Sequence, residues 1–369
     1  MNEFGDYTLL YPISTSESSM SYFGISKNVD VPVQIKIYHK DNFPLNEELT
    51  NLLKKINHPN ILTYFDTVIR QTDQNETEVG FVFEHFKYCY FLEYVQKTGI
   101  LNESKCYFFF SQLCEALYYL HTRNVHGILI TTESLLYDEV QKAIKLNFSH
   151  IDHFSLPFLP PENADPNLPF TQKSDIWGLG IILYYMVNGC FPFEKEDDYE
   201  LINDIKKKPL TFRNQEISFE LKSLITSMLE KDPLDRIDID DVMNSEWMVK
   251  FPKRRKIEKI NFNELSKNIE KMLQVLQVDQ KRIDSMMKGK EEKSPLFRMV
   301  EWKERLNLQE KMKNQISKTH KSDSNQCARK TLITRRIIFS ICKKKDSRYH
   351  RVSCPLVQTK TSYKYFDVK

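Results

Sequence analysis

Few side chains in this 369-residue chain stand where type and spacing suggest chemistry. Lys36 ends the β-branched run Val33-Gln34-Ile35-Lys36, downstream of a hydroxyl-rich run from Ile13 to Ser21 that includes Ser14, Ser16 and Ser19. Serines can turn a hairpin and donate hydrogen bonds, and a lysine beyond them either pairs locally or meets an anionic ligand. Further along, Glu162 follows Pro160-Pro161, Asp175 lies in Ser174-Asp175-Ile176-Trp177-Gly178, and Arg236 closes Asp232-Pro233-Leu234-Asp235-Arg236. His126 is followed by Gly127-Ile128-Leu129-Ile130, and an isoleucine can neither accept a proton nor orient a hydroxyl. The 7 cysteines are scattered without Cys-x-x-Cys or histidine clusters, so neither a disulfide framework nor a zinc site is expected.

The elements that must position these groups are partly legible. Apolar residues recur at helical spacing from Phe110 through Leu113, Leu117 and Leu120, ahead of the His126 stretch. Charge divides the chain: from residue 250 onward Lys and Arg outnumber Asp and Glu by 32 to 13, net +19, leaving −16 for residues 1–249. That contrast suggests an acidic domain followed by a basic tail, in which the residues before 250 have the size of one bilobal domain.

Several motifs together resemble the eukaryotic protein kinase superfamily, in particular the calcium/calmodulin- and AMP-activated-type Ser/Thr kinases. Asp175-Ile176-Trp177-Gly178-Leu179-Gly180 resembles the family's Asp-x-Trp-(Ser/Gly)-x-Gly helix, Pro160-Pro161-Glu162 its Ala-Pro-Glu, and Asn188-Gly189-Cys190-Phe191-Pro192-Phe193 its Gly-x-x-Pro-Phe turn. Asp232-Pro233-Leu234-Asp235-Arg236-Ile237 resembles Asp-Pro-x-x-Arg-Ile, Ile56-Asn57-His58-Pro59-Asn60-Ile61 the His-Pro-Asn-Ile turn, and Val33-Gln34-Ile35-Lys36 the Val-Ala-Ile-Lys strand. The resemblance covers residues 7–249 and implies an α+β bilobal fold, with a small β-rich N-lobe (1–85) and a helical C-lobe (86–249). It also implies that Glu162 pairs with Arg236 and that Asp175 holds the catalytic-loop backbone, with His126 as a packed structural histidine.

Phosphoryl transfer asks a kinase to hold ATP and its metal ions, position the acceptor hydroxyl and stabilise charge. The family's three loop glycines, which let amides approach phosphate without a Cβ in the way, fall on Ser14, Ser16 and Ser19, with Glu17 between them. Lys36 keeps the strand lysine, but the small alanine flooring the adenine pocket is Gln34, and the lysine's glutamate partner falls on Leu49. Ile128 stands at the catalytic base, Ile130 at the catalytic-loop lysine, and Ser134 or Glu133 at the metal-binding asparagine. At the Asp-Phe-Gly site either Asn147-Phe148-Ser149 aligns after a one-residue deletion, or Phe148 itself replaces the aspartate; both remove the carboxylate that Mg²⁺ favours. No catalytic position is intact. The resemblance therefore implies a pseudokinase, a scaffold or allosteric regulator in signalling, with no cofactor expected and another kinase among its candidate partners. One alternative is a weak or unconventional ATP- and Mg-dependent Ser/Thr kinase, with Glu133 as base and Asp152 or Asn147 on the metal. A second is an adaptor that binds ubiquitin or anionic membrane through its tail.

Residues 250–311 contain three amphipathic segments: Leu265, Ile269, Met272, Leu273 and Leu276; Ile283, Met286 and Met287; Leu296, Met299, Val300, Trp302 and Leu306. Their position resembles the small ubiquitin-associated-type domain following some kinase domains, although Val275-Leu276-Gln277-Val278-Asp279 lacks the usual glycine; a helix pair packed on the kinase-like domain accounts for the faces equally well. Residues 312–330 read as a linker by composition and 331–369 as a basic tail with strand-like content, a candidate small β module. The opposite charges suggest that the tail docks on its own acidic domain, ahead of any polyanion; no nucleic-acid motif is present. Met1-Asn2-Glu3-Phe4-Gly5-Asp6 has no signal pattern and no apolar stretch is long enough to span a bilayer, so a cytoplasmic protein is expected, or a nuclear one if Lys253-Arg254-Arg255-Lys256 serves import.

Overall fold

The computed structural model describes residues 2–16, 19–39, 47–72, 76–128, 130–147, 155–252 and 261–319. The chain divides into a compact unit, Met1–Met312, and a second, Lys313–Lys369, of which only the end of a helix is described. Six strands open the first unit: β1 (Asn2–Phe4), β2 (Tyr7–Thr15), β3 (Ser19–Ser26), β4 (Pro32–His39), β5 (Tyr64–Gln71) and β6 (Thr77–Glu84), with α1 (Glu47–Leu53) between β4 and β5. They form an antiparallel sheet in the order β1-β2-β3-β4-β6-β5.

The second lobe contains β7 (Cys89–Tyr90), α2 (Phe91–Thr98), α3 (Glu103–His121), the β8–β9 hairpin (Leu135–Asp138, Ala143–Leu146), α4 (Gln172–Asn188), α5 (Asp198–Lys207), α6 (Phe219–Met228), α7 (Ile239–Asn244) and α8 (Glu246–Val249). This is the α+β bilobal fold implied by the resemblance. Its central pair, α3 and α4, is well delimited. Asn102 caps α3 by accepting from the Lys105 amide at 3.0 Å, and a Thr171–Ser174 capping box starts α4. Gly189 ends α4 at φ 70°, in the left-handed region where glycine has no Cβ penalty.

Three further helices, α9 (Phe262–Val275), α10 (Gln280–Met287) and α11 (Pro295–Thr319), complete the described chain. Alternation along β4 decides where they go. Val33, Ile35 and Ile37 point to the sheet face that joins Phe4, Tyr7, Leu9, Phe65 and Val82 in one core with Leu265, Ile269, Leu273, Ile283, Met286, Phe297, Val300 and Leu308. Polar ties align this apolar contact. Buried Arg298 donates through Nε and Nη2 to the Phe65 carbonyl at 2.9 and 2.5 Å, and Lys303 Nζ donates to the Val29 carbonyl at 2.7 Å. Of the two accounts of these segments, packing on the kinase-like domain is the one seen, although it involves all three helices rather than a pair.

Two boundaries differ from expectation. Helix α11 runs to Thr319, so residues 312–319 are helical rather than linker: they contain no glycine or proline to break the helix. Gln277, where the sequence lacks glycine, adopts φ 59° after α9, so the left-handed turn forms on a residue that pays for its Cβ. Residues 320–369, with the basic tail and candidate β module, lie outside the described residues, as does the Lys253–Lys256 cluster. No helix among the described residues is long and apolar enough to cross a membrane.

Candidate nucleotide and catalytic cleft

The β2–β3 turn brings its serines onto one another. The Ser16 and Ser19 hydroxyl oxygens are 2.8 Å apart, the Ser19 amide donates to Ser16 Oγ at 3.1 Å, and Ser19 is buried while Ser14, paired with Ser21, is exposed. Glu17 and Ser18 lie outside the described residues. On β4, Lys36 is only 2% exposed, and its Nζ stands 5.1 Å from the Tyr38 ring centroid. Gln34 is buried as well, opposite Phe83 on β6. Leu49 falls within α1, but the side chains of residues 47–49 are outside the description.

The catalytic-loop backbone is held by α4. Asp175 Oδ1 accepts from the Ile128 amide at 2.6 Å and Oδ2 from the Gly127 amide at 3.0 Å. Gly127 has φ 73°, and a Cβ there would meet the Phe170 carbonyl oxygen at 2.9 Å, so this tight approach requires glycine. The Ile128 side chain packs, half-buried, against the main hydrophobic core, and Ile130 is buried in it. Ser134 is buried with its hydroxyl committed locally: Oγ accepts from the Thr131 amide at 2.8 Å and donates to the Thr131 carbonyl at 2.9 Å. Asn147 is buried, and its amide donates to the Ser134 carbonyl at 2.7 Å. Phe148, like Asp152, lies outside the described residues.

His126 requires correction. It is exposed, and the buried imidazole beside the loop belongs to His121, at the end of α3, whose Nε2 lies 3.0 Å from Asp175 Oδ2. The last turn of α3 points into the interior, whereas the chain at His126 has already emerged from the helix. Farther down, Arg236 forms a two-pronged pair with Glu162, Nη1 to Oε1 at 2.7 Å and Nη2 to Oε2 at 2.9 Å. Its guanidinium also donates to the Lys173 and Glu230 carbonyls, at 2.8 and 3.0 Å, and lies over the Trp177 ring. A fully buried cation is tolerated only with this many partners.

Sequence reasoning missed the carboxylate at the back of the cleft. Glu84, 2% exposed, accepts at Oε1 from the Thr63 amide (2.8 Å), Thr63 Oγ1 (3.0 Å) and Lys145 Nζ (2.5 Å), and at Oε2 from Trp302 Nε1 (2.7 Å). It joins β6, β9 and α11. The signal was a lone carboxylate ending the apolar run from Val79 to Phe83, a position that demands a partner. Lys145 also helps lower His58: burial first, then the nearby Lys145 and Arg123 charges, bring this imidazole down to about 4. Among the described residues, no group of three or more His, Cys, Asp or Glu side chains could hold a metal ion.

A sequence profile of the protein kinase domain matches residues 17–248, more than half of the chain. The chain belongs to the protein kinase family. Similar proteins include the fatty acyl-CoA synthetase and RNA processing-associated kinase 1 of Saccharomyces cerevisiae, 27% identical over 270 residues, covering 67% of this chain and 30% of that protein. The serine/threonine-protein kinase atg1 of Dictyostelium discoideum is 28% identical over 270 residues, covering 67% of this chain and 40% of its own length. The CBL-interacting serine/threonine-protein kinase 5 of Arabidopsis thaliana is 27% identical over 298 residues, or 72% of this chain and 64% of that kinase. This protein kinase chain thus spans less than two thirds of each relative's length.

Proposed function

We propose that this member of the protein kinase family is a pseudokinase, a scaffold or allosteric regulator in signalling that binds protein partners, another kinase among them, without transferring phosphate. One observation carries the reading: Asp175 still holds the catalytic loop by the Gly127 and Ile128 amides, yet the side chains displayed there do no acid–base or metal chemistry. Ile128 is half-buried against the core, Ser134 spends its hydroxyl on Thr131, and Asn147 replaces a metal carboxylate with an amide or stands beside its loss.

Mg-ATP is the group the family implies, and the residues present fit it poorly. Gln34 is buried where the family's small alanine would floor the base, and Ser16 and Ser19 bond each other where backbone amides would cradle phosphate. A partner role for the basic tail, including docking on the acidic kinase domain, and a cytoplasmic or nuclear location belong to the same proposal.

A transfer assay tests it. Purified protein incubated with labelled ATP, Mg²⁺ or Mn²⁺ and a generic basic substrate should give no incorporation above a heat-inactivated control. Incorporation abolished by Glu133→Gln would instead support the unconventional kinase.

A further inference from the structure

The loop held by α4 also carries a polar group with nothing to bond. Ser134 Oγ satisfies both backbone groups of Thr131, accepting from its amide and donating to its carbonyl, but the Thr131 hydroxyl is left over. Thr131 is 2% exposed, and its Oγ1 has no hydrogen-bond partner among the described residues. A buried hydroxyl in that state has given up its hydration for nothing, and folded chains rarely keep one without a partner, protein or water.

Thr131 lines a small cavity bounded by three parts of the second lobe: Ile130 and Thr131 of the loop, Ser155 and Phe158 of the segment leading to Pro160, and Asp175 on α4. The space there open to the centre of a water molecule is about 10 Å³. That is close to the roughly 10–15 Å³ that holds one water, and it leaves no room for an organic ligand. Polar partners border it. Among the described residues Asp175 Oδ1 accepts only the Ile128 amide, at 2.6 Å, and a carboxylate oxygen has a second lone pair to offer. Ser155 is half-buried and brings another hydroxyl to the wall.

We propose that this cavity is a site for one ordered water, which accepts from Thr131 Oγ1 and donates to Asp175, joining the loop, the segment from Ser155 to Pro160 and α4. A water with two to four polar partners is held as part of the structure. Ile130, where the family resemblance expects a lysine, has no polar side-chain atom, so the polar link from this stretch of loop to the facing segment falls to Thr131 and its water. The role is positioning, and it does not depend on whether the protein transfers phosphate.

The test compares the full chain as wild type, Thr131→Val and Thr131→Ser. Valine matches threonine in shape and branching but has no hydroxyl, whereas serine keeps the hydroxyl and loses a methyl group. A diffraction map of the wild type fine enough to show ordered solvent should contain one water within about 3.2 Å of Thr131 Oγ1. Thr131→Val should melt a few degrees lower than the wild type, with amide exchange across residues 127–134 and 155–159 raised several-fold, while Thr131→Ser should stay close to wild-type exchange in both segments. A dry site predicts the opposite sign, because valine would then remove an unsatisfied hydroxyl and the variant would melt at or above the wild-type temperature. That result, a serine variant loosened as much as the valine one, or a wild-type map with no solvent peak beside Thr131 Oγ1 overturns the proposal.

Discussion

Strand β4 presents Val33, Ile35 and Ile37 to one side and Gln34 and Lys36 to the other, and the two sides have had different fates. The first is sealed by α9, α10 and α11 in a shared apolar core, aligned by Arg298 and Trp302. The second carries Gln34 and Lys36, both buried, at the positions where the family resemblance expects a small alanine and the strand lysine. Burial on the first side needs only apolar residues of suitable volume, and many combinations satisfy it. Phosphoryl transfer needs particular groups at particular points, so single substitutions abolish it while leaving the fold standing.

The largest expected effect tests the frame that survives beside the cleft. Arg236→Ala leaves Glu162 without its buried cation and should cost roughly 3–5 kcal/mol in urea denaturation. A loss below about 1 kcal/mol would mean that the frame is no better preserved than the site. On the sealed side, Leu273→Ala should remove about 2–5 kcal/mol from the same cooperative transition, because this fully buried leucine belongs to the core shared with the sheet. A separate early transition confined to α9–α11 would split that core in two.

Acid should weaken the protein through two half-buried histidines, His58 and His85. His58 and His85 are lowered mainly by burial to about 4 in the folded chain, against about 6.5 unfolded. Below pH 6.5 the unfolded chain takes up protons that the folded chain refuses, so stability falls as pH drops toward 4. The slope approaches about 1.4 kcal/mol per pH unit for each histidine. Denaturation at pH 7 and pH 5 checks it, and a flat profile would contradict the burial of both rings. A smaller change comes from Trp302→Phe, which keeps most of the ring but leaves Glu84 Oε2 without its donor; about 1–3 kcal/mol should be lost.

How far these contrasts were legible depends on the kind of interaction. Glu162, Asp175 and Arg236 could be read because each sits in a short motif with fixed spacing, and their partners follow from the family frame. His126 misled because two histidines lie close in sequence at a helix end, and only the fold decides that His121 turns inward to Asp175. The apolar faces of α9–α11 announced burial but not against what, since an amphipathic pattern records that a face is covered and leaves its cover unnamed. Charge suggested that residues after 250 dock electrostatically; for α9–α11 the attachment is chiefly apolar, with ion pairs such as Lys54–Glu292 at its edge. Glu84 escaped notice because its partners Thr63, Lys145 and Trp302 are distant from it in sequence.

The smallest predicted effect follows from that attachment. Raising salt from 0.01 to 0.5 M, which shortens the screening length from about 30 Å to under 10 Å, should leave α9–α11 protected from proteolysis. Release at high salt would restore the electrostatic account.

The central claim is that the frame persists while the cleft no longer serves Mg-ATP, and thermal stability measured with ATP, with and without Mg²⁺ and Mn²⁺, tests it most directly. The account predicts no metal-dependent shift at millimolar nucleotide. Ligand at a hundred times its dissociation constant would add about 2.7 kcal/mol, a readily visible change, and a metal-dependent shift of that size would contradict the account.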